Sequence, residues 1–240
     1  MANRYLHNVH GLFDTIAPNY DRMNNIISLG THRHWRKQTM AQISLAPNAQ
    51  ALDLCCGTGD WTIAIAKELG PTGEVIGFDF SAPMLKIAQQ KVTQAKLTDR
   101  VWLRRGNAMH LPFKTNSFDL VTIGFGLRNL PDKRQALAEI YRVLKPGAQL
   151  VCLETSQPDQ PVIKPVWQWY FTKVVPFFGR IFAHQYQEYS YPQETTRHFV
   201  SYQQLVILFE QAGFEGVHYE RFNFGAAAAH FGIKPEADHE

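Results

Sequence analysis

Cysteine is scarce in this sequence. Cys55, Cys56 and Cys152 are its full complement, an odd and sparse set that excludes a disulfide framework. Zinc-type His/Cys spacing is missing too. The ten histidines are scattered, and His32 with His34 do not make a site by themselves, so no metal is expected. Neither sign of charge dominates. Lys and Arg number 24 against 21 Asp and Glu, a net +3. That balance excludes a phosphate-tracking nucleic-acid surface and leaves room only for a weak preference for anionic surfaces. No apolar run approaches the ~18 residues of a membrane span, and polar Asn3, Arg4, His7 and Asn8 break up any secretory leader. Repeats and low-complexity tracts are absent. Together these absences predict a cytoplasmic chain.

What the sequence does have is apolar bulk and order. Its 240 residues are 45% hydrophobic, enough to bury one α/β core as a single domain over 1–240. From residue 49 to 154 strand and helix patterns alternate. Strands are predicted at 49–54, 74–80, 101–106, 119–124 and 149–154, most of them short and apolar as buried parallel strands should be. The intervening helices carry Trp61, Ala64 and Ile65 on one face, then Met84, Ile87 and Ala88 behind an N-cap at Ser81 with Pro83 in the first turn. A third, capped by Asp132, carries Leu137, Ile140, Tyr141 and Leu144 and is stopped by Pro146-Gly147. Ser201 caps a later helix bearing Leu205, Leu208, Phe209 and Ala212. A closing strand pair is predicted at 215–222 and about 225–233, the second on topology alone, because Ala226–Ala229 favours helix. The expected fold is a doubly wound, mostly parallel, seven-stranded sheet. Residues 1–45 form an N-terminal helical cap over its open end. An aromatic-rich insertion or lid at 157–195 holds Trp167, Trp169, Tyr170, Phe171, Phe177, Phe178 and Phe182.

Ligands in such sheets bind at the carboxyl ends of the strands. The loop Asp53-Leu54-Cys55-Cys56-Gly57-Thr58-Gly59-Asp60 follows the first strand, and Gly57 and Gly59 let its backbone approach a ligand. Thr62 stands where a dinucleotide fingerprint has its third glycine, so a pyrophosphate is disfavoured. A ligand made of a nucleoside, a sulfonium and an amino-acid tail fits better. Asp79, ending the second strand, can accept both ribose hydroxyls, and Asn107, ending the third, offers an adenine edge its donor and acceptor. Met109 could pack on the ring. The plainer role for Asp53 and Asn107 is to cap turns.

These segments, with 77–85 and Leu144-Lys145-Pro146-Gly147, resemble class I adenosylmethionine-dependent, Rossmann-like methyltransferases. More specific are Gly124-Phe125-Gly126-Leu127-Arg128-Asn129, the stretch from Phe13 to Asn24, Ser28-Leu29-Gly30 and Trp35-Arg36. With these the chain resembles the menaquinone/ubiquinone biosynthesis C-methyltransferase family from about residue 9 onward. The resemblance implies S-adenosylmethionine as cofactor, bound by Thr58, Asp79, Asn107 and Ala108, with Asp53, Gly57, Gly59, Phe80 and Gly124 beside them. It implies a prenylated quinol as substrate, most simply demethylmenaquinol, with head-group contacts at Tyr20, Asn24, Trp35 and Tyr191. Two departures stand out: Gly124 replaces a serine of some relatives, and Tyr189-Ser190-Tyr191-Pro192 is altered from the family pattern.

A ring carbon is a weak nucleophile until its hydroquinone loses a proton. Arg128 is the candidate to stabilise the resulting oxyanion, Asn129 to orient the hydroxyl and Asp21 to accept the proton. A salt bridge to Asp132 is the plainer role for Arg128. The aromatic insertion and N-terminal helices form either a lid with a peripheral membrane contact or ordinary core, and a homodimer is compatible with both. The rival functions are methylation of the ubiquinone-pathway benzoquinol, a nicotinamide oxidoreductase, a nucleic-acid methyltransferase and a non-catalytic adenosylmethionine-binding scaffold. A missing third glycine and the lack of a Tyr-x-x-x-Lys pair oppose the oxidoreductase. Gly124–Asn129 stands where amine methyltransferases of nucleic acids carry an Asn/Asp-Pro-Pro-aromatic loop.

Overall fold

The computed structural model describes residues 11–174 and 199–236. Before the sheet, after a helical stretch at 11–16 and a 3-10 turn at Ala17–Asn19, come α1 (Tyr20–Ile27) and α2 (Thr31–Met40). Then come β1 (Gln50–Leu54), α3 (Asp60–Glu68), β2 (Glu74–Asp79), α4 (Ala82–Gln94), β3 (Val101–Arg105), β4 (Phe118–Gly124), α5 (Lys133–Val143) and β5 (Leu144–Thr155). After β5 follow α6 (Ile163–Trp169), α7 (Tyr202–Gln211), β6 (Glu215–Phe222) and β7 (Ala227–Ile233).

The seven strands form one sheet in the order β3-β2-β1-β4-β5-β7-β6, with β7 alone antiparallel to its neighbours. The chain winds outward from β1 in one direction and from β4 in the other, so the switch point lies between those two strands. Alternate strand residues feed two apolar layers. Leu52, Leu54, Val121, Ile123 and Leu150 pack on one face; Ala51, Val75, Leu120, Val151 and Leu153 pack on the other. Burial on both faces is what makes the parallel strands read as near-continuous apolar runs.

Local chemistry sets the helix starts. Ser81 Oγ accepts from the Met84 N–H, the Asp132 side chain from the Gln135 N–H, and Ser201 forms a reciprocal capping box with Gln204. The expected helix stop at Pro146-Gly147 needs correction. Helix α5 ends at Val143; Leu144 already has extended backbone, although its N–H still donates to the Ile140 carbonyl. Pro146 and Gly147 lie within β5, near a register shift opposite Phe118 and Leu120. Gly147 takes a φ of +74° there, so the pair builds an irregularity at the strand's start rather than a loop before it.

The alanines that favour helix are strand. Ala227, Ala228 and Ala229 are bonded on one side to β5 and on the other to β6. They are fully buried, and Ala227 and Ala229 share a layer with Trp35 and Trp61, so tertiary packing overrides their helical preference. Of the aromatic-rich stretch, α6 and a π turn at Tyr170–Val174 are described. Phe177, Phe178 and Phe182, and the Tyr189–Pro192 run with Tyr191, lie outside the described residues.

Candidate active site

The loops after β1, β2, β3 and β4 meet over the switch point. In the first of them the backbone turns left-handed at Cys55 (φ +57°), Gly57 (φ +53°) and Gly59 (φ +81°). Gly59 has a second constraint: a Cβ there would lie 2.9 Å from Ala88 Cβ of α4, so no other residue lets α3 and α4 approach. After the neighbouring strand, Phe125 is left-handed too (φ +57°). Two non-glycine residues in that region, side by side on adjacent strand ends, are local strain of the kind concentrated at functional sites.

Asp53 is buried beneath the loop. Thr62 Oγ1 donates to one carboxylate oxygen at 2.6 Å and Thr122 Oγ1 to the other at 2.8 Å. Burial pushes its pKa up to about 6 despite these hydroxyls. Asp53 thus braces β1 against β4 and the start of α3, and Thr62, in the place of a third glycine, is its partner. Asp79 sits at the cleft floor. Its carboxylate accepts from the Gly57 N–H and the Ser81 N–H, both at 2.9 Å, and burial raises its pKa.

A cleft, with about 740 Å³ of space that includes its open mouth, lies here. Asp79, Phe80, Asn107, Ala108, Met109 and Gly57 line it, with Phe13 and Tyr20 from the N-terminal segment. Asn107 Oδ1 accepts from the Met109 N–H at 3.0 Å, while its amide donors have no partner among the described residues. Phe13 meets Phe80 edge-on with ring centroids 5.8 Å apart, and Ser81 Oγ donates to Asp14 at 2.6 Å. These contacts hold the N-terminal segment across the cleft.

A smaller recess of about 440 Å³ adjoins the cleft, sharing Tyr20, Cys55, Gly57, Gly124 and Phe125 as wall. Asp21, Asn24, Arg36, Thr58 and Asp60 also line it. Thr58 Oγ1 donates to Asp21 at 2.7 Å, and Lys91 Nζ bonds Asp21 at 2.5 Å, Asp60 at 2.7 Å and Thr58 at 3.0 Å. Thr58 and Asp21, both candidates from the sequence, are therefore tied to each other and to Lys91. Burial raises the Tyr20 pKa against the opposing influence of its Asn24 hydrogen bond and the Arg128 charge.

Arg128 differs from its expected partner. Its Nη1 pairs with Glu154 Oε2 at 2.6 Å, not with Asp132, which caps α5 instead. The Arg128 backbone N–H donates to the other Glu154 oxygen at 3.1 Å. The guanidinium lies 5.8 Å from the centre of the Phe125 ring. Asn129 lines the cleft and Arg128 does not; Asn129 Nδ2 donates to the Phe125 carbonyl at 3.2 Å. Trp35 is core: it is buried beside Phe125, and its indole N–H donates to Asn223 at 3.2 Å. Gly124 belongs to the cleft wall, and a Cβ there would come within 2.6 Å of the Trp61 ring. A side chain at this position would therefore require Trp61 to shift. Tyr191 lies outside the described residues.

Sequence reasoning missed Glu154, Lys91 and Arg36. Glu154 carried a signal, a carboxylate near the end of an otherwise apolar strand, though nothing local ties it to the fourth strand's loop. Lys91 lies on α4, more than a helical turn from any motif, and only folding brings it to the recess.

Comparisons with known proteins bear on the family and the fold. The model of the ubiE/COQ5 methyltransferase family matches residues 1–234. A demethylmenaquinone methyltransferase from Lactiplantibacillus plantarum is 86% identical over 98% of this chain and 99% of its own length. One from Listeria monocytogenes is 53% identical over 94% of this chain and 95% of its own. Among solved structures, the [4+2]-cyclase SpnF aligns over 95% of this chain and 96% of its own with a TM-score of 0.71 at 18% identity. A SAM-dependent methyltransferase from Aquifex aeolicus aligns over 83% of this chain and 89% of its own with a TM-score of 0.59 at 19% identity. At such identities the structures speak for the fold alone.

Proposed function

The chain belongs to the ubiE/COQ5 methyltransferase family, and from that membership we propose how its cleft is used. It is a methyltransferase of menaquinone biosynthesis, converting demethylmenaquinol to menaquinol by methylating the open ring carbon of the quinol. The near-complete match to a demethylmenaquinone methyltransferase carries this reading, and the cleft gives it a physical basis. The residues fit adenosylmethionine: a turn with close backbone approach, a carboxylate at Asp79 with lone pairs beyond those its backbone partners use, and free amide donors on Asn107.

Adenosylmethionine, when bound, supplies a methyl group on a sulfonium. The rest falls to the chain's own residues. Asp79 accepts the ribose hydroxyls and Asn107 meets the adenine edge, with Ala108, Met109 and Phe80 against the ring. Phe13, Tyr20 and Phe80 exclude water, and holding the reactants in line contributes up to ~7–11 kcal/mol. A phenol's pKa of ~10 makes the quinol's ionisation the difficult requirement. Arg128 supplies a positive charge behind Phe125. Glu154 fixes its position and offsets most of its charge, so Arg128 favours the phenolate only to the extent that the pair loosens when the quinol ionises. Asn129 orients the hydroxyl from within the cleft. Asp21 is clamped by Lys91 and Thr58, so the proton leaves through water unless that clamp opens. Tyr20 and Asn24 are the head-group contacts.

The substrate's prenyl tail calls for an apolar approach. On and just before α6, Val162, Val166 and Trp169 are 78%, 64% and 61% exposed at the i, i+4, i+7 spacing of one helix face, flanked by Lys164 and Lys173. This face makes a peripheral contact with an anionic membrane, where the tail resides.

The test is incubation of the protein with methyl-labelled adenosylmethionine and reduced demethylmenaquinone. Label in menaquinol is the expected product. Label in RNA or protein, and in no quinol, would overturn the assignment.

A further inference from the structure

On its outer side, α2 lies along α3. Arg36 Nη1 pairs with Asp60 Oδ2 at 3.3 Å, and the Trp61 indole N–H donates to Met40 Sδ at 2.9 Å. An open groove runs between the two helices, with about 720 Å³ of space that includes its mouth. Its apolar lining is Met40 from α2 with Ile63 and Ala64 from α3, all half-buried. Arg33, Lys37 and Lys67 stand exposed around it. Arg33 and Lys37 are one helical turn apart, as are Ile63 and Lys67, so the facing helices present an apolar floor and a basic rim. Arg36 and Asp60 also border the recess, so the groove opens beside the active site.

The rim cations are not spent on the protein. The side chains of Arg33, Lys37 and Lys67 have no hydrogen-bond or ion-pair partner among the described residues. The groove's carboxylates are Glu68 and Asp60, and Asp60 is already held by Lys91 at 2.7 Å and by Arg36. Four cations thus face two carboxylates, and the groove is net positive. A small inorganic anion would leave the apolar floor unused. A phospholipid headgroup uses both parts: its phosphodiester meets the rim, and its glycerol and first acyl methylenes cover Met40 and Ile63. The connections of α2 favour a lipid as well. Tyr170, directly after α6, donates its hydroxyl to the Ile27 carbonyl at 3.2 Å. Leu29, in the turn into α2, is 72% exposed, and Arg33 and Lys37 follow it at four-residue intervals. The exposed face of α6, this turn and the groove therefore follow one another along linked helices.

We propose that the groove between α2 and α3 binds the headgroup of an anionic phospholipid, with Arg33, Lys37 and Lys67 around the phosphodiester. It is a second membrane contact, and the proposal rests on the membrane contact of α6 inferred above. Two contacts on one rigid surface strengthen each other, because the first to bind raises the effective concentration of lipid at the second. Docking through both also brings the active site to the surface that holds the prenyl tail.

Titration of protein carrying methyl-labelled methionine with dihexanoylphosphatidylglycerol, below its micelle concentration, tests the groove directly. The Met40 methyl resonance should shift and saturate. Dihexanoylphosphatidylcholine and inorganic phosphate should each bind at least about tenfold more weakly, the first for want of net charge and the second for want of apolar contact. In Arg33→Gln/Lys37→Gln/Lys67→Gln the Met40 shift should be lost, and affinity for phosphatidylglycerol vesicles should fall at least about tenfold at low salt. Its melting temperature and its turnover of a short-tailed, water-soluble quinol should match the parent's. A parent protein whose Met40 resonance ignores the lipid overturns the proposal, whatever the variant does. So does inorganic phosphate that binds as tightly as the lipid, which would make this a free-anion site, or a triple variant with unchanged vesicle affinity. The α6 contact is read separately: if Val166→Asp/Trp169→Asp floats with vesicles as well as the parent, that reading fails, and the Met40 shift still decides the groove.

Discussion

Glu154 and Arg128 form an ion pair with side chains 2% and 11% exposed. Their desolvation is offset only while both are present, so removing one strands the other. Glu154→Ala should destabilise the protein by about 3–5 kcal/mol in urea titrations, and the apolar double variant Glu154→Leu/Arg128→Met should recover most of that loss while its quinol methylation falls. A double variant with full turnover would remove Arg128 from the chemistry. Asp53 poses the reverse problem, a lone buried carboxylate whose folded-state pKa, about 6, lies above its ordinary value of 3.8. The folded state therefore holds this proton more tightly. The associated stabilisation is complete below about pH 4 and is lost as pH rises through 6, amounting to about 3 kcal/mol from a shift of roughly two units. Asp53→Asn, which keeps the shape without the charge, should flatten the stability profile of urea titrations between pH 4 and 7. A variant with the same slope as the parent would contradict this origin.

At the scale of elements, the close crossing of α3 and α4 depends on a residue without a side chain. Gly59 combines a φ of +81° with a would-be Cβ contact of 2.9 Å to Ala88. Gly59→Ala should lower stability by about 2–4 kcal/mol, summing backbone strain and overpacking, and it should weaken adenosylmethionine binding because the loop begins α3. Adding Ala88→Gly to Gly59→Ala relieves the contact but not the backbone strain. Partial recovery of the melting temperature is therefore the expected result; no recovery would place the whole effect in the backbone. The same helices show which local signals are legible in a sequence. Ser81, Asp132 and Ser201 announce caps because each side chain bonds a backbone N–H three residues on. Pro146-Gly147 misleads, since the same two residues that stop a helix can also open a strand with an irregular register.

For the whole molecule, the exposed face of Val162, Val166 and Trp169 predicts association with membranes. Flotation with anionic vesicles should recover the parent protein, while Val166→Asp/Trp169→Asp should stay in the soluble fraction with its melting temperature unchanged; equal flotation would dismiss this face as the contact. Among the described residues no helix is long and apolar enough to cross a membrane. The sequence by itself determined the strand and helix order, the glycine turn and the acidic and amide groups at strand ends. These are short-range facts, set by period, capping and backbone freedom. It also carried the family, through motifs at 13–36 and 124–129. What only the tertiary structure decided is which groups meet. Asp53 turned to Thr62 and Thr122, Arg128 to Glu154 rather than Asp132, and Trp35 into the core. Lys91 and Arg36, 55 positions apart, converged on one recess with Asp60. Such pairings join residues from different strands and helices, and no local period records them. They follow from the order of strands in the sheet and from the need of each buried polar group to find a partner once water is gone.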